Sequence, residues 1–155
     1  MKVTSLLISL LMLLSALSVS AQDSSDSLFS FQGNTLKYNM SIQRKEMNIT
    51  GICMMRSTGN DIIGSVVNEF GIKAFDFDYN IDKKKVKLNN VVGFINKWYI
   101  RKILKGDLKY LFSYGKNMEK DKNRDVIIGA DKSIEMDNNK FHLKYVFTPL
   151  NDLNE

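Results

Sequence analysis

Ile72-Lys73-Ala74-Phe75-Asp76-Phe77-Asp78-Tyr79-Asn80-Ile81 places Phe75, Phe77, Tyr79 and Ile81 on one side of an extended chain and Asp76 and Asp78 on the other. A repeat of two with aromatic and β-branched residues on one side predicts a strand with something packed over that side. A few residues later the period changes. Phe94, Ile95, Trp98, Tyr99, Ile103 and Leu104 recur at steps of three and four, the spacing of an amphipathic helix. An aromatic strand face followed closely by an apolar helix face predicts an α+β domain in which a helix lies on a sheet.

Upstream, Leu36, Tyr38, Met40 and Ile42 alternate with Lys37, Asn39, Ser41 and Gln43, predicting another strand. Met47, Ile49, Gly51, Cys53 and Met55 share one phase of the next. Ile52 and Met54 occupy its other phase, so both faces of that strand are expected to be covered. Thr58-Gly59-Asn60-Asp61 is a turn before the short apolar strand Ile62 to Val67, and Val86 to Val91 adds a fifth strand after Asp82-Lys83-Lys84-Lys85. Short connections make antiparallel hairpins the economical pairing. Asn89 or Asn90 is expected to cap the helix and Gly106 to end it, with Asp107 capping a short second helix that carries Leu108, Leu111 and Phe112. Lys116 to Arg124 reads as a charged loop. Val126 to Ala130, Ser133 to Met136 and Phe141 to Phe147 complete the set of strands.

The amino terminus reads as an address. Lys2, the apolar run Leu6 to Leu17 and the small residues Val19-Ser20-Ala21 make a secretory signal peptide over residues 1–21. That apolar run is shorter than the roughly 20 residues a spanning helix needs, so the mature chain is expected to be periplasmic or secreted, without a permanent membrane span. Residues 22–34 read as a flexible lead-in and 35–150 as a single domain.

The chain has 155 residues, one Cys, one His and a formal net charge of +5. One Cys excludes an intramolecular disulfide framework, and one His with one Cys argues against a zinc site. Cys53, in phase with Ile49 and Met55, is expected to be buried. His142 falls on the polar phase of the last strand and reads as a surface histidine rather than the base of a triad. Asp76 and Asp78 share a face, which ordinary exposed strands also offer, and no phosphate-cradling glycine loop is present. No enzyme, cofactor or metal is expected from this pattern. Nucleic acid is not expected for an exported chain of modest, spread charge. Lys97, Arg101, Lys102, Lys105 and Lys109 load the helix. A basic amphipathic helix can lie on an anionic membrane, or it can pack on a sheet and leave its lysines in water. Met40, Met47, Met54 and Met55 gather in the first two strands, where adaptable thioethers suit either a core or a variable apolar ligand.

The stretch Ile49-Thr50-Gly51-Ile52-Cys53-Met54-Met55-Arg56, through Gly71-Ile72-Lys73-Ala74-Phe75-Asp76-Phe77, to Asn96-Lys97-Trp98-Tyr99-Ile100 resembles small exported bacterial proteins of the lipoprotein-carrier (LolA/LolB-like) superfamily. The likeness runs from Leu36 to Phe112, and its most specific element is Phe70-Gly71 leading into Phe75 and Phe77. It implies an antiparallel sheet curved into an incomplete barrel, covered by helices, that accommodates a lipid or lipoprotein acyl chain. The chain departs from the family's pattern in having only three strands after the helix and no lipobox cysteine. The family's lid-holding arginine has only Arg44 and Arg56 as positional candidates. The resemblance implies a ligand-binding wall of Tyr38, Met40, Met55, Phe75, Phe77 and Tyr79, with Phe94 and Trp98 from the helical lid. The alternative expectation is a non-enzymatic module with a filled core that docks on an envelope protein.

Overall fold

The computed structural model describes residues 27–31, 33, 35–115 and 120–150; the signal peptide expected over 1–21 lies outside them. Among these described residues, eight strands and one helix follow in the order β1 (Leu36–Arg44), β2 (Met47–Thr58), β3 (Asp61–Val67), β4 (Lys73–Asn80), β5 (Lys85–Asn89), α1 (Trp98–Ser113), β6 (Arg124–Ile128), β7 (Ile134–Asn138) and β8 (Leu143–Pro149). All belong to one antiparallel sheet of order β5-β4-β3-β2-β1-β8-β7-β6. The first five strands form a meander. The helix then carries the chain across the sheet, and β6 to β8 meander back until β8 pairs with β1. The terminal strands β5 and β6 do not pair with each other, so the sheet is open rather than closed into a barrel.

One phase of the sheet faces the helix and makes the core. Met40, Cys53, Met55, Val66, Phe75, Phe77, Tyr79, Leu88, Met136, Tyr145 and Phe147 are all buried, as are Leu104, Leu108, Leu111 and Phe112 from α1. Phe112 is the hub. Its ring lies 5.3 Å from those of both Phe77 and Tyr79 and 5.4 Å from Phe29. Phe29 belongs to the expected lead-in, yet it is buried against Tyr38 and Phe147. Its apolar surroundings in Leu28-Phe29-Ser30-Phe31 draw this part of the segment onto the core.

Three expectations are corrected. Gly106 does not end the helix, and no second short helix is present among the described residues; α1 runs unbroken to Ser113. The physical reason is Asp107, whose buried carboxylate is bonded from three strands while it sits in mid-helix. The glycine before it serves that contact, since a Cβ at Gly106 would stand 3.3 Å from the Arg124 guanidinium. Neither Asn89 nor Asn90 caps the helix. The cap position is Lys97, without a side-chain hydrogen bond, because Asn89 still belongs to β5 and the helix begins only at Trp98, well beyond both asparagines, whose amides donate to Asp78 and Asp76. Finally, Ile52 and Met54 are each 36% exposed, so the second face of β2 lacks the expected cover. That face of the sheet also carries Asp76 and Asp78.

Gly64 sits between Met55 and Phe77 in the ladder. A Cβ there would collide with the Phe77 ring and lie 2.7 Å from the Met54 carbonyl oxygen. The glycine therefore makes room for an aromatic side chain laid across β3. Gly64→Ala should lower stability by about 1–3 kcal/mol through overpacking, read as a reduced urea midpoint with unchanged slope.

Candidate functional site

The sheet and helix do not meet evenly along their length. At the end carrying Ser113 the space between them is filled by Phe29, Phe77, Tyr79 and Phe112. At the end carrying Trp98, the helix presents the aliphatic side chains Ile100 and Ile103, only partly buried. Here β2 outruns its neighbour: Val67, the last residue of β3, pairs with Ile52, and Met47 to Gly51 extend beyond it. An open cleft of about 520 Å³ results.

Its floor is built from one side of three adjacent strands. Ile42 pairs with both Ile49 and Tyr145 across the β1 ladders, which brings these three side chains together. Phe75 and Leu143 extend the floor, and Tyr99, Ile100, Ile103 and Leu104 form the helical wall. Phe94, Met47 and Phe141 stand around the opening with two cations, Arg44 and Lys97. Arg44 donates from Nε to the Phe141 carbonyl at 3.2 Å, which ties the β1 end to the turn before β8. No acidic side chain lines the cleft among the described residues. The chemistry on offer is an apolar trough with positive charge at its edge.

Of the eight side chains expected to form a binding wall, Phe75 and Phe94 line this cleft. Tyr38, Met40, Met55, Phe77 and Tyr79 lie elsewhere in the packed interior. Trp98 is 77% exposed, outside the cleft, with its ring edge-on to Tyr99 at 5.9 Å. Sequence reasoning missed Ile42, Ile49, Ile103, Leu143 and Tyr145. Their phase was visible, since Ile42, Ile49, Leu143 and Tyr145 fall on the helix-facing side of their strands and Ile103 on the apolar side of the helix. How close helix and sheet come at each was not.

Tyr145 joins the cleft floor to a buried polar cluster. Its hydroxyl donates to Asp107 Oδ2 at 2.7 Å. Asp107 Oδ1 accepts from Arg124 Nε at 2.8 Å and from Asn138 Nδ2 at 2.6 Å. Arg124 is further paired with Asp121. Burial pushes the Asp107 carboxyl above its ordinary range, against the pull of Tyr145, Arg124 and Asn138. Burial and the adjoining carboxylate together raise the Tyr145 hydroxyl well above its usual value. Every polar partner in this cluster belongs to the fold, so it reads as an anchor.

Asp76, Asp78 and His142 lie outside the cleft lining. Asp76 is engaged by Ser65, Lys73 and Asn90 on the opposite face; burial opposes these bonds, but they hold its carboxyl below the ordinary range. Asp78 accepts from Asn89. His142 is exposed at a positive φ of 53° in the turn before β8. Among the described residues no group of three or more His, Cys, Asp or Glu could hold a metal ion. Nor is any described helix long and apolar enough to cross a membrane.

No protein-family model and no curated protein matches the sequence.

Two outcomes follow from these placements. Asp107→Ala leaves Arg124, Asn138 and Tyr145 without their shared acceptor, and should cost about 3 kcal/mol or more in a denaturant titration. Cys53 is 1% exposed, and burial pushes its thiol up to about 12. A thiol reagent at neutral pH should therefore label the native protein negligibly and the unfolded chain at once.

Proposed function

We propose that the protein is a periplasmic or secreted binding protein that takes a lipid or a lipoprotein acyl chain into the cleft between its sheet and the first half of α1. In this reading the open sheet serves as an incomplete barrel, with the helix as its cover. The observation that carries the proposal is the cleft itself, about 520 Å³, apolar along floor and wall, with Arg44 and Lys97 at its opening. Ligand pockets typically run from about 300 to 1,000 Å³, so the space suits one acyl chain. Burial of that chain supplies affinity at about 25 cal/mol per Å². The two cations suit a carboxylate or phosphate at its polar end.

A specific observation also favours a second reading. Most of the deep interior is occupied by the protein's own Phe29, Tyr38, Met55, Phe77 and Phe112. A domain so filled can act as an envelope interaction module that holds no ligand.

Mass spectrometry of organic extracts of the protein purified from cell envelope separates the two, together with titration of a fluorescent fatty acid. The carrier reading expects co-purified lipid and saturable uptake. Ile103→Glu, at a half-buried position of the cleft wall, should weaken uptake at least about tenfold, since a charge there faces an apolar ligand. Arg44→Gln should weaken it only about two- to fivefold, as befits an exposed ion pair. Absence of both lipid and uptake overturns the carrier reading and leaves the interaction module.

A further inference from the structure

The exposed side of α1 is uniform in charge. Trp98, Lys102, Lys105 and Lys109 are spaced by four, three and four residues, which puts them on one stripe of the helix. Trp98, Lys102 and Lys109 are exposed and Lys105 is half-buried. The only acidic residue of α1, Asp107, is wholly buried and bonded to Arg124. No negative charge of the helix therefore offsets its outer lysines.

Apolar side chains gather where this stripe begins. Asn89 at the end of β5 pairs with Asp76 near the start of β4, and Val92 donates to the Ala74 carbonyl. The β3–β4 turn, the segment leading into α1 and the start of α1 therefore share one end of the sheet. That end exposes Phe70 and Trp98 at 77%, Ile72 at 60% and Phe94 at 57%. Tyr99, beside Trp98, is 43% exposed. Indole and phenol rings combine an apolar body with a polar edge and favour the headgroup level of a bilayer. Lysines beside them are attracted by anionic headgroups.

We propose that the outer stripe of α1 and this aromatic end of the sheet form a docking surface for an anionic phospholipid membrane. Charge complementarity selects the partner: the stripe is positive, and the adjoining rings suit an interface rather than a hydrocarbon interior. Continuity supports it too, because Phe94 and Tyr99 also stand at the cleft, so a docked molecule would open that cleft beside the lipid. The surface does not rest on the cleft being a ligand site, since Trp98, Lys102, Lys105 and Lys109 lie outside its lining.

Trp98 is the sole tryptophan and sits on the surface in question, so its emission reports that surface and no other part of the chain. The full chain is titrated with vesicles of phosphatidylcholine alone and of phosphatidylcholine mixed with phosphatidylglycerol. The expected result is a blue shift of Trp98, with quenching by bromine-labelled acyl chains, on the mixed vesicles at low salt. Added salt should reverse it. The exposed-side pair K102Q/K105Q should weaken binding roughly 25-fold, at about fivefold for each lysine near the surface. Circular dichroism confirms that the variant is folded. Vesicle association with Trp98 still emitting as a water-exposed indole would place attachment elsewhere in the chain and overturn the proposal. An equal shift on neutral vesicles, unaffected by K102Q/K105Q, would remove charge recognition and overturn it as well. Failure to bind vesicles, with salt-sensitive binding of polyglutamate instead, would assign the surface to an acidic protein and likewise overturn it.

Discussion

The carboxylate of Asp107 receives one hydrogen bond from each of the three strands that follow the helix: from Arg124 of β6, Asn138 of β7 and Tyr145 of β8. A buried charge is costly to desolvate, and only close geometry with every oxygen engaged offsets that cost. The geometry here is of that kind, and no buried side-chain polar atom among the described residues lacks a partner. One carboxylate thus sets the helix against the second half of the sheet. It also sets the helix's rotation. With Asp107 turned inward, Leu104, Leu108 and Leu111 face the sheet, while Lys102 and Lys109 face water. The cleft wall and the basic stripe both follow from that rotation.

Along the helix axis, side-chain size decides what is core and what is cleft. The later half of α1 contributes Phe112, whose ring meets Phe29, Phe77 and Tyr79 at 5.3–5.4 Å. Such packing leaves no space, and Tyr79 and Ser113 add a buried hydroxyl pair at 2.8 Å. The earlier half carries Ile100 and Ile103 opposite Ile42 and Ile49, which are too small to span the same separation. Helix and sheet are both stiff, so a layer spacing set by aromatics at one end leaves a gap over aliphatics at the other.

Periodicity made most of the fold legible. The alternation through Leu36 to Gln43 and Phe75 to Ile81 marks strands directly, and all eight strand segments read from the sequence are present, with ends displaced by a few residues. The helix was legible from its three- and four-residue spacing, but its ends were not. Gly106-Asp107 carries the local signature of a stop followed by a cap. Locally that reading is sound; a partner more than 30 residues away in sequence, Asn138, overrides it. Trp98 was misplaced for a related reason. Its spacing from Phe94 suggested one apolar face, yet α1 starts only at Trp98, and Phe94 lies in the turn before it. Residues on two different backbone conformations do not share a helical face.

The candidate site was legible as a phase and not as a place. Sequence alone determined which side chains face the helix, because a strand's period of two and a helix's period of 3.6 are properties of the backbone. It determined likewise that Cys53 is buried and that the helix carries an excess of positive charge. Only the tertiary structure decided that Tyr38, Met55 and Phe77 fill the interior while Ile42, Ile49 and Tyr145 floor a cleft. That distinction depends on the distance between two layers at each point. The distance is set by contacts among residues remote in sequence, with Asp107 fixing the helix and Phe112 holding it off the sheet.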